Sequence, residues 1–197
     1  MFNDSTPYFS VMHDFTVYLT PWPKDTPLPS ESELKFMLPT GLLLISDVKA
    51  LEADCLMQLR HFDDEAKSIV DYLKLQSRKI DLVLQHVIEQ EQHEGEKHRG
   101  LSFGGSGIRI IGDTQLEVGS QYKITLHIKE ELIALLCFVR VSASQPADGD
   151  ENRDKAQYIA DLEFTQILDT DVEQLVKASL SVQQKHLKQR KLAKRTP

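Results

Sequence analysis

The feature that most constrains this chain is a seam of residues spaced alternately three and four apart: Leu59, Phe62, Ala66, Ile69, Leu73, Gln76, Ile80, Val83, Val87 and Gln90. Such spacing is a heptad a/d pattern, which places all ten residues along one stripe of a helix. No Gly or Pro falls between Gly41 and Gly95, so nothing in the covalent chain stops a helix between them. The spacing predicts a helix that starts after Pro39, with room for one break, and runs to about Gln92. At 1.5 Å per residue its roughly 50 residues would extend about 75 Å, well past the width of a small domain. Two arrangements could cover its stripe: an antiparallel hairpin broken near "RHFDDEAK", or a coiled coil between copies of the chain. The length favours the coiled coil. Val70, Leu75, Leu82, Leu84 and Ile88 widen the apolar face beyond the strict seam, which favours more than two helices in contact.

On either side of this segment the period becomes that of strands. "YFSVMHDFTVYLTPWP" alternates partially and is expected to end in a turn at Pro21 and Pro23, leaving "TPWPKDTPLP" as a linker. Ser30 and Glu33 have the spacing of a capping box ahead of a short helix ending near Pro39. After Gly95, "KHRGLSFGGSGIRIIG", "YKITLHIK", "LIALLCFVRVSA" and "YIADLEFTQI" read as strands separated by polar turns, a pattern of antiparallel sheet or small barrel. Thr170 and Glu173 repeat the capping-box spacing. They open a final helix whose apolar face is read as Val172, Leu175, Val176, Leu180 and Val182. Three regions are therefore expected: 1–40, with a strand, linker and short helix; 41–94, the helical oligomerisation region; and 95–197, the strand-rich domain with its terminal helix and basic tail.

Composition narrows the function classes. A formal net charge of −7 over 197 residues argues against a protein that coats phosphate backbones, so no nucleic-acid partner is expected. No apolar run approaches the roughly 20 residues of a membrane span, and the N-terminus lacks the pattern of a signal peptide. A cytoplasmic protein without membrane insertion is the expectation. Cys55, in a predicted helix, and Cys137, in the strand "LIALLCFVRV", are read as buried small hydrophobes. His86, Glu89 and His93 would share a helix face but lack an HExxH core or a fourth ligand, so no metal site is assigned. The tail "KHLKQRKLAKR" is basic and is read as a solvated helix end. No nucleophile–base pair or carboxylate pair can be placed in a common pocket, and no enzymatic activity is expected.

The glycine cluster in "HRGLSFGGSGIRIIGD" fits neither a dinucleotide fingerprint nor a P-loop, because its spacing is wrong and a strand, not a helix, follows. Gly104, Gly105 and Gly107 are instead expected to supply positive φ in a tight turn between strands. Taken in order, "GLSFGGSGIRI", "LEVGSQYKITLHI", "FVRVSA", "YIADLEFTQI" and a terminal helix resemble the PilZ domain, over roughly residues 95 to 190.

That resemblance implies an α+β fold, a six-stranded antiparallel β-barrel preceded here by the heptad helix and followed by the C-terminal helix. It also implies a place in cyclic di-GMP signalling. In the family, an Asp or Asn, a Ser two places on and a Gly three further contact the ligand; on this chain those positions are Gly100, Ser102 and Gly105. The acidic or amide residue is missing. The family's Arg pair at i and i+4 is missing as well, and losing a bidentate clamp that also stacks on a base should cost several kcal/mol. Arg99, Ser102, Gly105 and Arg109 remain as candidate contacts. A divergent subgroup of the family lacks the Arg pair, carries a heptad helix and forms tetramers, and "LKLQSRKIDLVLQHVIEQ" with "GLSFGGSG" resembles it. The expected function is thus a non-enzymatic adaptor, homotetrameric through the seam, with no cofactor and with an unidentified signalling protein as partner. The alternatives are a true cyclic di-GMP receptor and a structural coiled-coil scaffold.

Overall fold

In the computed structural model, residues 10–39, 41–43, 48, 51, 55, 67–90, 93–147 and 156–193 are described. The alternating segments form six strands: β1 (Ser10–Trp22), β2 (Glu96–Gly104), β3 (Gly107–Gly112), β4 (Gln121–Ile128), β5 (Ile133–Pro146) and β6 (Tyr158–Gln166). They pair antiparallel throughout and close into a barrel in the order β1-β2-β3-β6-β5-β4. Closure leaves no open sheet edge. The inward positions of every strand meet in one core, with Val17, Leu19, Phe103, Ile110, Ile124, Leu126, Leu135, Val139 and Leu162 almost fully buried. Each such side chain gains about 1.5–3 kcal/mol on leaving water.

The sixth strand comes from the other side of the heptad segment. β1 pairs with β2 from Ser10↔Gly104 to Leu19↔Glu96 and with β4 from Thr16↔His127 to Trp22↔Gln121. It is therefore an integral stave of the barrel, although the sequence set it in a region apart from the strand-rich domain. The strand also passes through Pro21, where a stop was expected. By Pro21 the pairing with β2 has ended and only β4 remains alongside, so a residue without an N–H is tolerated there. The chain thus divides into one compact unit made of Met1–Phe36 with His93–Pro197 and a second made of Met37–Gln92.

Besides the helical residues 41–43, 48, 51 and 55 and a 3-10 turn at Lys129–Glu131, three α-helices are described. Helix α1 (Glu31–Phe36) is capped as its spacing predicts: the Ser30 N–H donates to Glu33 Oε2 at 2.8 Å and the Glu33 N–H donates to Ser30 Oγ at 3.4 Å. The Ser30 N–H, joined by the Ser30 hydroxyl donating to the same Oε2 at 2.7 Å, holds the Glu33 carboxyl below its ordinary pKa. Helix α2 (Lys67–Gln90) is the described part of the heptad segment. Seam residues Leu59, Phe62 and Ala66 lie outside the described residues, as does the side chain of Gln90.

Helix α3 (Asp169–Ala193) packs on β1, β2 and β5. It begins one residue before Thr170, so that residue lies in its first turn rather than at the cap. Its expected single apolar face is divided: Leu175, Ala178 and Val182 are buried in the barrel core, while Val176 and Leu180 are exposed. Five residues so spaced span too wide an arc for one contact face. Cys137 is buried as expected, but Cys55 is exposed, because a helical position does not by itself set burial. Among the described residues, no helix is long and apolar enough to cross a membrane.

Candidate ligand site on the β2–β3 hairpin

The glycine cluster joins β2 to β3, and its geometry differs from the expected positive-φ turn. Among the described glycines only Gly95 and Gly119 have positive φ. The cluster needs small residues for closeness instead: a Cβ on Gly107 would collide with the Leu162 carbonyl of β6, and one on Gly105 would come within 2.8 Å of Val176 in α3. The Gly105 position of the motif is therefore covered by the terminal helix.

Gly100 has a similar explanation. It lies directly opposite Phe15 in β1, and a Cβ at this position would fall on the Phe15 ring. That ring is buried and stands edge-on to Phe103 at a centroid distance of 5.9 Å. The aromatic side chain thus fills the space an acidic or amide side chain would need.

The remaining motif residues lie on the outer surface of the sheet. Residues directly opposite in an antiparallel pair share a face, so the partners Met12, Ser102, Arg109 and Asp161 form a row across β1, β2, β3 and β6. Arg109 uses two donors on Asp161, Nε to Oδ1 at 2.6 Å and Nη2 to Oδ2 at 3.0 Å. This two-pronged contact raises the guanidinium pKa further, and both partners are partly shielded from solvent. Ser102 is buried.

Arg99 is clamped in the same manner. Its Nε and Nη2 donate to Asp14 Oδ1 at 3.0 and 2.7 Å, and Nη2 also donates to Oδ2 at 2.9 Å. A register shift in β1 between Met12 and Phe15 takes Asp14 out of the regular ladder, and another lies in β2 between Gly100 and Ser102. Both arginines therefore already hold carboxylates in the bidentate geometry a phosphate would require. An anion at either must displace an internal partner.

Beside this row is a cleft of about 250 Å³, lined by Glu96–Arg99, Ile111–Asp113 and Gln157. His98 is buried there with its Nδ1 unpartnered. Burial pushes its imidazole below the ordinary pKa, opposed by the charges of Glu96 and Asp113. The other histidines considered from the sequence do not share a helix face, since α2 ends at Gln90 and His93 lies beyond it. The His93 ring packs on Tyr18 and His127 at 4.4 and 4.5 Å between centroids. Among the described residues no metal-binding cluster of His, Cys, Asp or Glu forms.

Sequence reasoning named Arg99, Ser102, Gly105 and Arg109 as candidates but not Phe15, Asp14 and Asp161, the residues that occupy their surroundings. Asp14 and Asp161 lie 85 and 52 positions from their arginines. Only the alternation of β1 could have hinted at the first.

No family model matches the sequence, and no curated protein does. Among solved structures, the fold is similar to that of a pathogenic protein from Xanthomonas campestris, described as a tetrameric PilZ domain self-assembled via a helical bundle. The TM-score is 0.53 at 15% identity, covering 94% of this chain and 92% of that one. The PilZ domain of YcgR from Escherichia coli with cyclic di-GMP aligns with a TM-score of 0.41 at 13% identity, over 51% of this chain and 79% of that one. The Bacillus subtilis inhibitor of motility MotI aligns with a TM-score of 0.38 at 15% identity, over 48% and 45%. With its closed six-stranded antiparallel barrel, its helices and the match along nearly its whole length to the Xanthomonas structure, this chain has a PilZ-like fold.

Proposed function

We propose that this protein is a non-enzymatic PilZ-type adaptor of cyclic di-GMP signalling that self-associates through α2, as a tetramer, and does not depend on the nucleotide as a ligand. The observation that carries this reading is the uncovered seam. Ile69, Leu73, Ile80, Val83 and Val87 are 45–64% exposed along one side of α2, and Tyr72, Leu75 and Leu82 are exposed beside them. Burying what remains accessible on each seam residue yields about 1 kcal/mol. Two helices meeting along this seam would gain roughly 10 kcal/mol, within the range of about 4–15 kcal/mol that association itself costs. A bundle of more helices buries the wider face as well and moves the balance toward assembly. The similarity to a protein described as tetrameric through a helical bundle supports the same reading.

Light scattering tests it. Four copies of the 22.5-kDa chain would give about 90 kDa, and Ile80→Asp should shift the mass towards one chain by placing a charge in the seam. A mass of one chain at every concentration refutes the assembly.

The engaged arginines and the filled position beside Gly100 support the second half of the proposal. The alternative, a cyclic di-GMP receptor using Arg99, Ser102, Gly105 and Arg109, is separated by calorimetric titration. Binding heat and a raised melting temperature below about a millimolar ligand would favour the receptor, because a ligand that binds the folded state must stabilise it.

A further inference from the structure

Helix α3 carries a second apolar stripe that the barrel does not use. Val176, Leu180 and Leu187 are exposed. At 100° per residue they lie within about 40° of one another and roughly 150° around the helix from the buried face of Leu175, Ala178 and Val182. Their spacings of four and seven are those of a surface that packs against another helix. Beside the stripe, Lys188 and Lys191 form a basic ridge, and Arg190 flanks it on the other side. None of these three cations makes an ion pair among the described residues, whereas Lys177 is held by Glu173 at 3.3 Å and Lys185 by Glu131 at 2.6 Å.

Charge identifies the occupant. Residues 177–195 contain seven of the chain's 23 Lys and Arg and no acid, so the remaining chain has 16 cations against 30 acids. A second copy of α3 laid on this stripe would set cations against cations. Helix α2 has four cations and three acids and offers no complement. The acidic run "DGDENRD" of this chain has the right charge but no apolar side chain to fill the stripe. A membrane surface would meet three aliphatic side chains and no aromatic anchor.

We infer that the outer face of α3 docks an acidic amphipathic helix of another protein, with apolar residues on the Val176–Leu180–Leu187 stripe and carboxylates on Lys188, Arg190 and Lys191. This deepens the adaptor reading and rests on it, since it names the chemistry of the partner.

The test uses the full chain and a synthetic helical peptide of about four heptads with Leu at a and d and Glu at e and g, followed by fluorescence anisotropy. Binding is expected in the micromolar range, weakening as salt rises. It should fall at least tenfold in Leu187→Asp and in the triple variant Lys188→Glu, Arg190→Glu, Lys191→Glu. Both sets of changes lie on exposed positions, so helical content and melting temperature should remain near those of the parent protein. Absent binding at about 100 µM, equal binding of the same peptide with Lys in place of Glu, or full affinity in both variants overturns the inference. So does binding to phosphatidylserine vesicles without binding to the peptide. The assembly state and nucleotide response of the same samples show whether the adaptor reading fails too: a tetramer silent to cyclic di-GMP that ignores the peptide loses only this surface.

Discussion

Gly100→Ala tests whether a ring, rather than a ligand, determines the residue at this position. The added Cβ would fall on the ring of Phe15, which is buried and held edge-on by Phe103. The ring must then turn off its rotamer or β1 must move away from β2. Overpacking of this kind costs about 1–3 kcal/mol; Ala in place of Gly recovers several tenths through the unfolded chain, leaving a net loss of roughly 0.5–2.5 kcal/mol. In a domain of this size that corresponds to a fall of about 2–8 °C in melting temperature. Phe15→Leu alone opens space and should also destabilise, but in the double variant the new methyl occupies part of that space. A double-mutant cycle by urea unfolding should therefore show the two losses to be sub-additive by at least about 0.5 kcal/mol. Strict additivity, or a Gly100→Ala protein as stable as the parent, would refute the claim that Phe15 excludes the motif's acidic residue.

Two further outcomes follow from the same geometry. Burial raises the Asp171 carboxyl to about 6, so the folded state binds a proton that the unfolded chain, with a pKa near 4, has released. Stability from this group is fully present below about pH 4 and is lost as pH rises through 6; Asp171→Asn should be more stable than the parent at pH 7, by about 2.5 kcal/mol, and the gain should vanish near pH 4 in urea titrations. Asp161→Asn removes half of a partly shielded ion pair and should cost about 1 kcal/mol. It also releases Arg109, so any affinity for cyclic di-GMP should rise in this variant if the carboxylate is what blocks the site; unchanged titration heats would discard that explanation.

The local features were legible in the sequence because they depend on neighbours a few residues apart. The capping box of Ser30 and Glu33 formed as spaced, and the segments after Gly95 became β2 to β6. The glycines were read less well: their smallness is required by Leu162, Val176 and Phe15, contacts made across the barrel that no turn pattern reveals. The candidate site was half legible for the same reason, since Arg99 and Arg109 were visible while the carboxylates that engage them were not.

By itself, the amino-acid sequence determined the heptad periodicity, the alternation of the strands and the absence of an acid at position 100, all properties of residue order along the chain. The tertiary structure alone decided that β1 closes the barrel from the far side of the helical segment. It alone decided that Val176 and Leu180 face away from the core that receives Leu175 and Val182. Those outcomes depend on which surfaces meet in space, and closure of a sheet and division of a helix into faces are fixed only when all six strands are in register.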